Sequence, residues 1–165
     1  MTVRWLDDRE RDAWVRLVAV VELLPGVLET QLRRDSDLSH FEYWVLAMLS
    51  EAPGRTLRMT ALAARTNGTL PRLSHVVSRL EARGLVERVP CPQDGRATNA
   101  VLTEPGWQTV VAAAPGHVQT VRQYVVDALT PEQLTQLTGI ADAILDRVDP
   151  EGTATGTFRS GARPG

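Results

Sequence analysis

Three arginines in this 165-residue chain, Arg72, Arg79 and Arg96, are placed where forked, permanently charged donors could meet phosphate oxygens or the edge of a guanine. Arg72 and Arg79 are two helical turns apart and share a helix face with Ser74, His75 and Ser78, which can donate or accept more weakly. The opposite face carries Leu73, Val76, Val77 and Leu80. Asp94 stands two residues before Arg96, close enough to form a turn and to orient the arginine. This is the chemistry of recognition rather than reaction. Cys91 is the single cysteine and has no intrachain partner, and His40, His75 and His117 are scattered without metal-ligand spacing. His117 and Asp127 form no triad with any serine, and neither a phosphate loop nor paired catalytic carboxylates occur. No enzyme, metal or cofactor is expected. Cys91 reads as an inert turn cysteine, with Arg88 nearby as the only hint of redox chemistry.

Composition agrees with a compact domain or two small modules: 43% hydrophobic, 23% charged and 5% aromatic. No apolar run reaches membrane-spanning length, and the N-terminus MTVRWLDDRERD is charged where a signal peptide would be apolar, so a cytoplasmic protein is the expectation. All eighteen basic residues are arginine, and twenty acids leave a net charge of −2. The distribution is uneven. Residues 55–96 hold eight arginines against three acids, a balance of +5, which leaves ten arginines against seventeen acids, or −7, on the remainder. Phosphate recognition depends on where the arginines sit, not on the total.

The elements that position these residues are marked by period and punctuation. Residues 9–34 place Trp14, Leu17, Val18, Val21, Leu24 and Leu28 at helical steps, with a kink or break expected at Pro25-Gly26. Ser39 and Glu42 form a capping box flanked by Leu38 and Tyr43, which predicts a helix from His40 to Ser50. A strand at Thr56–Arg58, a short helix at Met59–Arg65 and a turn at Thr66-Asn67-Gly68 follow. Thr69 caps a helix over Leu70–Arg83, with Pro71 tolerated in its first turn and Gly84 as its stop. Alternation then predicts strands at Leu85–Val89 and Ala100–Leu102, joined by a long turn from Pro90 to Arg96. A helix from Glu104 to Leu129, broken or kinked at Pro115-Gly116, precedes a capped helix carrying Leu134, Leu137, Ile140, Ala141, Ile144, Leu145 and Val148. Residues 149–165, rich in glycine and threonine, read as a disordered tail.

Two short helices joined by a tight turn, then a strand, a polar-tipped hairpin and a return strand, form the order of a winged helix-turn-helix. The fold class expected is therefore mainly α with a small β-wing. It divides into an N-terminal helix (1–38), a DNA-binding lobe (39–103), C-terminal helices (104–148) and the tail (149–165), the terminal helices being those that the resemblance given below assigns to dimerisation. In that arrangement helix 70–83 enters the major groove of double-stranded DNA, and the wing at 89–99 brings Arg96 to a minor groove or its phosphates.

The stretches LPRLSHVVSRLEARGLVERVPCPQDGR at 70–96 and DGRATNAVLT at 94–103 resemble the multiple-antibiotic-resistance regulator (MarR) family. The second fits its wing signature of Asp, any residue, Arg, five residues and Leu-Thr. The resemblance spans residues 39–148 and implies a homodimeric repressor whose first and last helices interlock and whose recognition helices face a pseudo-palindrome. Carried over, Arg96 is the wing-tip contact, Asp94 holds it or caps the turn, and Ser74, His75 and Arg79 face the groove. Pro71 departs from the small polar or glycine residue usual there. The family also binds small aromatic acids between its dimerisation helices and DNA-binding lobe, where Trp14, His40, Tyr43 and Trp44 could line a pocket. The plainer reading is that the tryptophans are core and His40 only opens a capped helix. The alternative for the whole chain is a winged-helix protein-interaction module without sequence-specific DNA binding.

Overall fold

Five side chains set where five helices begin. Asp7, Ser39, Thr69, Thr103 and Thr130 each accept a first-turn backbone N–H, and they open α1 (Asp8–Ser36), α2 (His40–Glu51), α4 (Leu70–Ala82), α5 (Glu104–Tyr124) and α6 (Pro131–Val148). Asp7, Ser39 and Thr130 close full capping boxes. The computed structural model describes residues 2–154. Between α2 and α4 lie a 3-10 turn at Pro53–Arg55, β1 (Thr56–Arg58) and α3 (Met59–Arg65); β2 (Val86–Cys91) and β3 (Asp94–Leu102) separate α4 from α5. The architecture is mainly helical with a winged-helix sheet.

Of the kink or break expected at each of two prolines, the break does not occur. α1 runs unbroken through Pro25 and α5 through Pro115. Each proline lies on an exposed side of its helix and removes one intrahelical N–H, a loss that long bonded stretches on both sides carry across. α5 does stop earlier than Leu129, giving way to a 3-10 turn at Val126–Ala128.

The strands form one antiparallel sheet in the order β1-β3-β2, with Leu57 opposite Ala100 and Val86 opposite Leu102. The hairpin is tighter than the sequence predicts. Pairing continues through Pro90 opposite Thr98 and Cys91 opposite Asp94, so only Pro92 and Gln93 lie between the strands. Proline fits because β2 is an edge strand, where a missing N–H breaks no central ladder. Asp94, Gly95 and Arg96 therefore begin β3 rather than fill a long turn.

The core sits under α2, α3, α4 and the sheet: Leu38, Val45, Leu46, Met48, Leu49, Leu62, Leu73, Val77, Leu80, Val86 and Ala100 are buried. Leu32 at the end of α1 joins them, and α1 packs along α5. The long apolar stripes behave differently. Along α1, Trp14, Leu17 and Val21 are exposed and Leu32 is the one fully covered leucine; α6 buries none of its residues. Nothing among the described residues covers these faces. Of the stretch read as a tail, residues 150–154 form turns held by the Asp149 carboxylate, which accepts the N–H groups of Thr153 and Ala154. Residues 155–165 lie outside the described part.

Candidate nucleic-acid interface

The turn between α3 and α4 is built for a close approach. Asn67 adopts a left-handed conformation, Gly68 N–H bonds back to the Ala63 carbonyl, and a Cβ on Gly68 would press on the Phe41 ring at 3.0 Å. Behind it, Leu73, Val76, Val77 and Leu80 seat α4 on the core. That leaves Pro71, His75, Ser78 and Ala82 along the line facing away. The β2–β3 hairpin stands beside this helix. Arg58, Leu70, Ser74, Arg88 and Arg96 border a cavity of about 300 Å³ between them.

The arginines of the basic segment divide into those with internal partners and those without. Arg55 pairs with Glu104 at 3.0 Å and lies 4.2 Å over the Trp107 ring. Arg72 stacks 4.1 Å over Phe41, and Arg83 donates to the Asp37 carbonyl. Arg79 reaches the fully buried Glu42 at 2.7 Å, a close ion pair rather than a linear hydrogen bond. Arg88 lies against α4, donating to Glu81 at 3.2 Å, to the Ser74 hydroxyl at 3.3 Å and to the Ser78 hydroxyl. Glu81 also accepts the Arg88 backbone N–H, and these bonds hold its carboxyl below the usual range. Arg65 and Arg96 make no ion pair among the described residues.

The residues nominated from sequence are thus brought to one face but in different states. His75 and Arg96 are exposed with open side chains. Ser74 and Ser78 are bound by Arg88, and Arg72 and Arg79 lean toward α2. Asp94 accepts the Arg96 backbone N–H at 3.1 Å and lies 4.0 Å from Arg58, so it caps the strand start and leaves the Arg96 guanidinium unpaired. The sequence does not single out Arg88 or Glu42 as site residues. Alternation along β2 could have turned Arg88 toward α4, but no spacing rule points from Arg79 to Glu42.

Cys91 is buried, and its neighbour is Arg58 at 3.6 Å, not Arg88, which is engaged with α4. A hydrogen bond from the Gln93 backbone and the Arg58 guanidinium hold the thiol below the ordinary cysteine range against the opposing effect of burial.

The other nominated set separates. Tyr43 packs against His117 of α5 at 4.6 Å, and His40 tilts 6.5 Å from Trp44. His40 N–H donates to Glu29. Trp14 is fifteen residues up α1 from Glu29, about 22 Å at 1.5 Å per residue, and is 57% exposed. Within one chain it does not join the others. Trp44 opens instead on a cleft of about 680 Å³ shared with the α3–α4 turn and the end of α6.

Residues 36–97 match the MarR family. The chain is similar over nearly its whole length to Sco3205, a MarR family transcriptional regulator from Streptomyces coelicolor solved in complex with DNA. Identity is 42% and the TM-score 0.86, covering 90% of this chain and 93% of that one. AbsC, another MarR family regulator from the same organism, is 40% identical with a TM-score of 0.84, covering 88% of this chain and 98% of that one. An uncharacterized HTH-type transcriptional regulator of Bacillus subtilis, YdcH, is 36% identical over 81 residues, 48% of this chain and 55% of that protein. No helix among the described residues is long and apolar enough to cross a membrane. With 42% identity kept over nine-tenths of its length to a regulator solved with DNA, the chain belongs to the MarR family of transcriptional regulators.

Proposed function

We propose that this chain is a homodimeric repressor that binds a pseudo-palindromic duplex, with α4 in the major groove and Arg96 against a phosphate or in the adjoining minor groove. The observation that carries the reading is the pairing of exposed, unengaged His75 and Arg96 on one face, with Arg58 and Arg88 adding guanidinium charge between them. Affinity comes mainly from phosphate neutralisation, and base discrimination from His75 and the serines of α4. Division into a DNA-binding lobe (39–103) between dimerisation segments (1–38 and 104–148) goes with this reading. So does the second copy, because α1 and α6 leave Trp14, Ile140, Ile144 and Val148 exposed.

Ligand response is the finer part. CouR from Rhodococcus jostii, alike in fold at 23% identity and a TM-score of 0.72, is bound to p-coumaroyl-CoA. For this chain a small aromatic effector would enter the cleft that Trp44 borders, beside His40 and the Tyr43–His117 contact. Such a ligand weakens DNA binding only by its preference for a dimer with differently spaced recognition helices.

Selection of bound duplexes from a random double-stranded pool tests the function. The expected product is a motif with two related half-sites about one helical turn apart, bound by two chains. Enrichment of no duplex over the starting pool, with the folded protein retained, would favour the interaction-module alternative.

A further inference from the structure

Glu42 is fully buried, yet its carboxylate stands where three helices meet. Oε2 accepts the Ser39 N–H at 2.7 Å, closing the α2 capping box, and lies 3.9 Å from Arg33 in the last turn of α1. Oε1 lies 2.7 Å from Arg79 on α4. Arg33 is itself held by Glu29 at 2.9 Å. A capping box accepts glutamine as readily as glutamate at this position, so the cap alone does not account for a buried charge. Isolated, that charge would be strongly unfavourable; paired, it fixes whatever carries the partner. What the carboxylate adds is a hold on the recognition helix from the end of the helix that also bears the uncovered apolar stripe.

We infer that Glu42 is a positioning residue for DNA recognition: it anchors Arg79 and so sets how α4 stands relative to the end of α1. Arg79 then serves as an internal tether rather than a phosphate or base contact. The inference rests on the DNA-binding reading above. The geometry favours the tether because Arg79 lies on the flank of α4 toward α2, away from the line formed by Pro71, His75 and Ser78, with its guanidinium on a buried anion.

Equilibrium binding to the selected duplex, measured from about 50 to 200 mM salt, separates the two roles. The proteins compared are wild type, Glu42→Gln, Arg79→Met and the double variant. Glutamine preserves the capping box, and Arg79 is half-exposed, so circular dichroism and unfolding midpoints show whether each variant keeps its fold; Arg79→Met carries the test if Glu42→Gln does not. Each single variant loses about tenfold in affinity and the double variant loses no more than the weaker single. The slope of log K against log salt for Arg79→Met stays at the wild-type value, since no phosphate interaction is removed. Two results overturn the inference: losses that add in the double variant, or a slope for Arg79→Met shallower by about two units, one phosphate per half-site at roughly 0.9 each. A wild type that retains no duplex overturns the DNA-binding reading itself and this one with it.

Discussion

The arginines of this chain are not equivalent charges. Six of the eight between residues 55 and 96 are committed to a carboxylate, a carbonyl, a thiol or an aromatic ring of the same chain, and these contacts assemble the face on which Arg96 stays open. Two histidines make the opposite use of burial. His117 packs on Tyr43 and His40 on Trp44, and His117 Nδ1 is buried without a hydrogen-bond partner among the described residues. Burial lowers both from the ordinary value of 6.5; His40 lowers His117 further, while Glu29 partly opposes the shift on His40. The unfolded chain therefore takes up protons that the folded one refuses. Stability is full above 6.5, falls as pH drops through that value and levels off below the depressed folded values. The unfolding midpoint should decline from about pH 7.5 to 5.5, and His117→Phe should flatten the decline while His40 keeps part of it. A wild-type midpoint that is level across that window would contradict this account.

Among the elements, the junction of wing and α5 has the least room. A Cβ on Gly106, in the first turn of α5, would lie 2.1 Å from the Leu85 carbonyl oxygen and 2.7 Å from Leu102 Cδ1. Backbone cannot move aside as a side-chain tip can, so Gly106→Ala should cost about 2 to 3 kcal/mol. That is a fall of roughly 5–10 °C in Tm for a chain of this size; an unchanged Tm would show that the junction gives way freely. The helix starts were legible in the sequence because caps are local chemistry: Ser39 with Glu42, Thr69 and Thr130 with Gln133 each act within one turn. The hairpin tip was not, because Pro90 to Arg96 has the same composition whether it forms a long turn or an edge strand with a two-residue connection. Nor were the partners of α4. Spacing along one helix says which residues share a face, and only the fold says that Glu42 and Arg88 are what Arg79, Ser74 and Ser78 meet.

At the scale of the molecule, apolar surface and charge are both left unfinished by one chain. α6 carries an apolar stripe and buries none of it, and the α1 stripe is mostly open as well. A second copy that covers both would put two basic faces on one assembly. Wild type is expected to be a dimer by light scattering, and Ile144→Asp, which would bury a lone charge at that proposed seam, should be a monomer and lose most of the DNA affinity. A wild type already monomeric at micromolar concentration would contradict the assembly. Whether the open face of α4 and the wing grips duplex phosphates is read from the salt dependence of binding to the selected duplex for wild type and Arg96→Ala. The wild-type slope should be steep and Arg96→Ala should reduce it by about two units, because one phosphate in each half-site is no longer neutralised. Identical affinities and slopes for the two proteins would contradict that grip.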